Sequence, residues 1–150
     1  MLASAVVLGV GNSLHSDDGA GPYLAETLVG KNPKIQAFNC GTAPENFTGI
    51  VRKINPEMLI IVDASLMGLM PGSIRRIPIE KIEDTAIGTH MMPLSTLVTF
   101  LKEDVSQIIV LGIQPASLET GEELSSNVKE AVKISAEIIL SGNLESIPFL

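Results

Sequence analysis

Met58-Leu59-Ile60-Ile61-Val62-Asp63 is a run of five apolar residues closed by an acid. An unbroken apolar stretch of this length, too short for a buried helix and rich in β-branched residues, reads as a strand covered on both faces, the kind found in parallel sheets. Working outward, Ala5 to Gly9 reads as a first core strand. Tyr23 to Val29 reads as a helix after Pro22, Lys34 to Phe38 as a second strand and Glu45 to Ile54 as a helix. After the Met70-Pro71-Gly72 turn, Ser73 to Ile79 reads as a strand. The link before it is too short for the crossover that parallel pairing with its predecessor requires, which predicts an antiparallel strand. Leu94, Leu97, Val98 and Leu101 form an amphipathic stripe behind Pro93. Gln107 to Gly112 is a last buried strand, and Ser126 to Leu140 a closing helix with Ser125 or Ser126 as its N-cap. The alternation predicts a three-layer α/β domain with a mainly parallel sheet.

Composition narrows what this scaffold does. At 150 residues and 45% hydrophobic content, the chain has the size and apolar content of one domain, 1–150, without internal repeat or linker. A net charge of −7 with no basic cluster argues against nucleic acid or anionic lipid as the main partner. Cys40 is the only cysteine, so an internal disulfide and any cysteine-rich metal site are excluded, and a reducing, cytoplasmic compartment fits best. Met1 to Val10 lacks a basic leader and runs into a glycine turn, so it reads as a strand rather than a signal peptide. No apolar stretch approaches the roughly 20 residues needed to span a bilayer.

Ligands of open α/β sheets gather at the carboxyl ends of the strands. Three side chains fall there. Asp18 lies in the turn Gly9 to Pro22, Asp63 closes its apolar strand, and His90 precedes the helix that begins at Pro93. Each alone has a plain explanation: a turn cap, a brace for the glycine loop, a solvated imidazole. Together they gain weight because an acid at the tip of a buried strand needs a cation, donors or a proton. The helix N-terminus disfavours the imidazolium form of His90 and favours the neutral, metal-binding one. Two carboxylates and an imidazole suit zinc, nickel, manganese or iron, and three protein ligands leave positions open for water or substrate. His15, beside Asp17, reads as a surface or rim residue.

Other chemistries have less behind them. Gly9-Val10-Gly11 after a first strand resembles half of a dinucleotide fingerprint. Leu14 occupies the place of the third glycine, however, and Phe38-Asn39-Cys40 lacks the ribose-binding acid. There is no G-x-S-x-G elbow, and Cys40 has no basic neighbour to activate it. Met67 to Met70 and Met91-Met92 read chiefly as packing residues, with an apolar peptide groove as the second reading. A non-catalytic nucleotide-, flavin- or metal-binding α/β module is the alternative from another functional class.

Taken in order, several motifs resemble the hydrogenase maturation endopeptidases, most closely the branch serving the formate-hydrogenlyase hydrogenase. They are Gly9-Val10-Gly11-Asn12-Ser13 with Asp17-Asp18-Gly19-Ala20-Gly21-Pro22, then Ala43-Pro44-Glu45-Asn46, then Ile60-Ile61-Val62-Asp63-Ala64 with Met67-Gly68-Leu69 and Pro71-Gly72. Thr89-His90 with Met92-Pro93-Leu94 and Leu111-Gly112-Ile113-Gln114-Pro115 complete the set. The resemblance covers nearly the whole chain. It implies an α/β/α sandwich with a five-stranded mixed sheet, and an aspartyl-type endopeptidase that removes the C-terminal extension of a nickel-hydrogenase large-subunit precursor. It further implies Asp18, Asp63 and His90 as both the metal-contacting and the catalytic residues, with nickel supplied by the substrate and no organic cofactor. Relatives commonly carry Asp-Gly-Gly after the second strand. This chain has Asn39-Cys40-Gly41 there, which removes that carboxylate and leaves Thr42 as a substrate contact.

Overall fold

A computed structural model describes residues 3–87 and 92–150. The apolar runs form a five-stranded sheet: β1 (Ala5–Val10), β2 (Ile35–Gly41), β3 (Met58–Ala64), β4 (Ile74–Arg76) and β5 (Gln107–Ile113), in the order β2-β1-β3-β5-β4. All pairings are parallel except β4 with β5. Helices α1 (Ala20–Leu28), α2 (Thr48–Ile54), α3 (Ile82–Thr85), α4 (Leu94–Leu101) and α5 (Ser126–Ser141) fill the connections.

Because successive strand residues face opposite ways, the central strands feed two cores. Val7, Ile60, Val62, Leu111 and Ile113 pack with Leu24 and Leu28 of α1 and Val128, Val132 and Ile139 of α5. Val6, Leu8, Val10, Leu59, Ile61 and Val110 pack with Val51 of α2, Ile82 of α3 and Leu94, Leu97, Val98 and Leu101 of α4. This is the three-layer, mainly parallel architecture expected from the sequence, with its one antiparallel strand.

The local differences have physical causes. β4 is three residues long rather than seven and pairs with β5, at the far edge, instead of with β3. Its outer side is joined by the chain end, where the amide of Arg76 donates to Pro148 O at 2.8 Å and that of Leu150 to Arg76 O at 2.9 Å. α1 starts at Ala20, ahead of Gly21 and Pro22, because proline is tolerated in a first helical turn. The predicted helix Glu45 to Ile54 divides into a 3-10 turn, Pro44–Phe47, and α2, whose left-handed cap is Asn55. α3 was not anticipated; four residues carry too little periodicity to register. Among the described residues no helix is long and apolar enough to cross a membrane.

Candidate active site at the carboxyl edge of the sheet

Parallel register sets the geometry. Val10 pairs with Asp63 on one side and Gly41 on the other, and Asp63 also pairs with Gly112. The ends of β2, β1, β3 and β5 therefore form one rim. Asp63 is 4% exposed, and by alternation it faces the α2–α4 side of the sheet, as Leu59 and Ile61 do.

Asp18 reaches this rim through a chain reversal that only glycine permits. Gly11 has φ +147°, and a Cβ on it would lie 1.9 Å from the carbonyl oxygen of Asp18. The backbone of Asp18 is thus pressed onto the end of β1, one residue beyond Val10, the partner of Asp63. Asp18 itself sits in the 3-10 turn Ser16–Gly19, half-buried, and its Oδ2 accepts from the Asn12 amide at 3.0 Å. A Cβ on Gly9 would lie 2.1 Å from Gly21 O, so both glycines of the Gly9-Val10-Gly11 pair are packed against the chain's own backbone. The second glycine of a dinucleotide fingerprint leaves room for the pyrophosphate, and here the space at Gly11 is taken by Asp18 O, which weighs against the nucleotide reading.

Thr42 is exposed directly after β2, on the same rim. His90 lies outside the described residues, together with Met91. Of the elements on either side of it, α3 is tied to the chain after β3 and α4 is tied to α3. The Leu66 amide, beyond β3, donates to Thr85 O at 2.9 Å, and Glu83 Oε1 accepts from the Ser95 amide at 3.2 Å and its hydroxyl at 2.6 Å in the first turn of α4. Among the described residues no three potential ligands stand close enough to hold a metal ion; Asp18 and Asp63 are the two of the expected three that can be placed. His15 is exposed, as expected. Met67 and Met92 pack against the second core, whereas Met70 is 80% exposed.

Cys40 is buried, and its thiol pKa is pushed up to about 12, first by burial and then by the charge of Glu45. It is a protonated core residue without nucleophilic function.

Asp17 plays a larger part than its sequence context suggested. It is fully buried. Its Oδ2 accepts from the amides of Ala116 at 2.8 Å and Ser117 at 3.0 Å and from the Ser125 hydroxyl at 2.6 Å, while Oδ1 accepts from the Ser125 amide at 2.7 Å. Ser125 is the N-cap residue of α5, but its hydroxyl serves Asp17 instead of its own helix. Burial by itself raises the Asp17 pKa. The Ser125 hydroxyl and the amides of Ser125, Ser117 and Ala116 together lower it by more, and hold it below the ordinary carboxylate value. A carboxylate with a depressed folded pKa stabilises the fold above its unfolded pKa of about 3.9, and that contribution is lost as pH falls through the folded value. Asp17→Asn is accordingly expected to lower the unfolding free energy at pH 7 by about 2–4 kcal/mol. The gap from wild type should close as urea titrations are carried from pH 5 towards pH 2, and a constant gap across that range would contradict the assignment.

Comparison with known proteins follows the same lines. The family model for hydrogenase maturation protease (HycI) matches residues 22–142. Hydrogenase 3 maturation protease of Escherichia coli K12 is 44% identical over 131 residues, spanning 85% of this chain and 83% of that one. The chain belongs to the hydrogenase maturation proteases. The solution structure of endopeptidase HycI from Escherichia coli superposes with a TM-score of 0.84 at 39% identity, covering 93% of this protease and 91% of that chain. A [NiFe] hydrogenase maturation protease HycI from Thermococcus kodakarensis gives 0.81 at 32% identity, over 93% and 91%. The protease is therefore a peptide-bond hydrolase of hydrogenase maturation, acting on a large-subunit precursor. Sequence reading of it missed the inward-facing Asp17, because one of two adjacent acids turns inward only once the turn is folded.

Proposed function

We propose that this protease removes the C-terminal extension of a nickel-hydrogenase large-subunit precursor after nickel insertion, with Asp18, Asp63 and His90 contacting nickel already seated among the precursor's cysteines. Nickel is in this reading part of the substrate, and no organic cofactor is required. The observation that carries it is the register that sets Asp63 beside Val10, one residue before the Gly11 reversal onto which the Asp18 backbone is packed. Two hard carboxylate donors fit a divalent cation, and a neutral imidazole completes a donor set that nickel accepts.

Nickel held by Asp18, Asp63 and His90 would supply Lewis-acid polarisation of a carbonyl and activation of water. The rest is positioning, which is worth roughly 7–11 kcal/mol when reacting groups are well aligned. Asp63 is held in a strand paired on both sides, so its backbone is fixed and its side chain is buried. Asp18 is held by the Asn12 amide, whose hydrogen bond at 3.0 Å orients Oδ2. In this reading either acid manages a proton, which is the aspartyl character we assign to the enzyme. Thr42, at the end of β2, is proposed to contact the precursor chain. With Cys40 reduced and buried, a cytoplasmic location is the fitting one.

Nickel gating is tested by incubating the purified protease with nickel-loaded and nickel-free precursor and following the mass of the large subunit. Shortening of the loaded form alone is expected. Equal processing of both would refute recognition through the metal while leaving the peptidase assignment intact.

A further inference from the structure

We propose that the segment Gln114 to Ser125, which supplies none of the proposed metal-contacting residues, is the brace that sets the spacing of Asp18 and Asp63, with Gln114 and Ser125 as its positioning residues. The inference rests on the reading that the two acids act together. One end of the segment holds the chain that leaves Asp63. The Ser65 amide donates to Ile113 O at 2.9 Å, the Met67 amide to Gln114 Oε1 at 2.7 Å and the Leu69 amide to the same oxygen at 3.4 Å. Gln114 also uses its backbone, donating to Ser73 O at 2.9 Å and accepting from the Gly72 amide at 2.8 Å. Its side chain is buried, at 8% exposure.

The other end holds the turn that carries Asp18. Ala116, Ser117 and Ser125 converge on the Asp17 carboxylate, and the Asp17 amide returns a bond to Ser117 O at 3.1 Å. Farther along, the Ser16 amide donates to Gly121 O at 2.7 Å, the Ser16 hydroxyl to Glu119 O at 2.7 Å, and the Gly121 amide to Leu14 O at 2.8 Å. Between the two sets of contacts stands one residue, buried Pro115, whose ring fixes φ. A stiff link of one residue therefore joins the chain after Asp63 to the residue before Asp18, independently of the β1–β3 pairing. Catalytic groups require positional tolerances of about half an ångström, and supports of this kind supply them.

The reporter is built in: the Asn12 amide donates to Asp18 Oδ2, so its NMR resonance senses the orientation of that carboxylate in the free protein. In Ser125→Ala and in Gln114→Leu, we expect kcat on precursor to fall by about 10- to 100-fold with KM within about twofold. The Asn12 amide should move upfield in Ser125→Ala. Ser125→Thr, which keeps the hydroxyl, and Gln114→Glu, which keeps Oε1 as acceptor, should each restore most of kcat, and they remain informative where a harsher variant fails to fold. Folded Ser125→Ala and Gln114→Leu with wild-type kcat would overturn the brace. So would an unmoved Asn12 resonance, or equal losses in the conservative and non-conservative variants. Failure of the wild-type protease to cut any precursor would instead sink the functional reading, to which the Asn12 measurement on free protein is indifferent.

Discussion

Asp63→Asn is expected to lower precursor cleavage by on the order of 10³-fold while the protein keeps its fold. The substitution is isosteric and the site is 4% exposed, so packing changes little and the lost quantity is charge. Strand pairing with Val10 and Gly112 fixes the backbone of Asp63 from both sides, and no shift of β3 can bring another carboxylate into its place. Asp63→Glu tests the same point differently: charge is kept, but the carboxylate moves by about one bond length, 1.5 Å, and a loss on the order of 10²-fold is expected. Circular dichroism confirms the fold, and single-turnover cleavage of nickel-loaded precursor gives the rate. Asp63→Asn turning over within tenfold of wild type would remove this carboxylate from the chemistry.

A large loss of stability is expected of Gly21→Ala. A Cβ at Gly21 would lie 2.4 Å from the carbonyl oxygens of both Val10 and Val62 and 2.7 Å from the Val10 amide nitrogen. All three are backbone atoms of the two central strands, so no side chain can swing aside, and α1 must lift from the sheet. Exceeding about 4 kcal/mol, the cost would consume much of the roughly 5–15 kcal/mol that holds a domain of this size together. Activity would fall with it, because Asp18 is carried on the turn that enters α1 at Ala20. Gly49→Ala in α2 is the contrast: nothing stands within 4 Å of its Cβ, and replacing a helical glycine there should stabilise by about 0.5–1 kcal/mol. Urea unfolding of the two variants measures the difference. A wild-type midpoint for Gly21→Ala would show that α1 does not need this close approach.

The layers were legible in the sequence because they rest on local chemistry. A doubly buried strand must read as Leu59-Ile60-Ile61-Val62, and a helix lying on a sheet must show the stripe of Leu94, Leu97, Val98 and Leu101. The position of Asp18 and Asp63 was legible for a related reason. One lies in the glycine turn after β1 and the other near the tip of β3, and parallel strands bring such ends to one edge.

What the sequence by itself determined, then, was the succession of elements, the burial of their apolar faces and the edge at which acids gather. Tertiary structure alone decided the neighbours. That β4 lies beside β5 rather than β3, that Asp17 turns inward to Ser125 while Asp18 stays half-exposed, and that Gln114 holds the amides of Met67 and Leu69 all depend on partners distant in the chain. The glycines divide along the same line. Their presence marks a reversal, but only the folded backbone reveals that Gly9, Gly11 and Gly21 are filled by Gly21, Asp18 and the ends of β1 and β3. The physical reason is range: propensity and periodicity act over a few residues, whereas a hydrogen bond between residues 17 and 125 exists only after the sheet has brought their loops to the same rim.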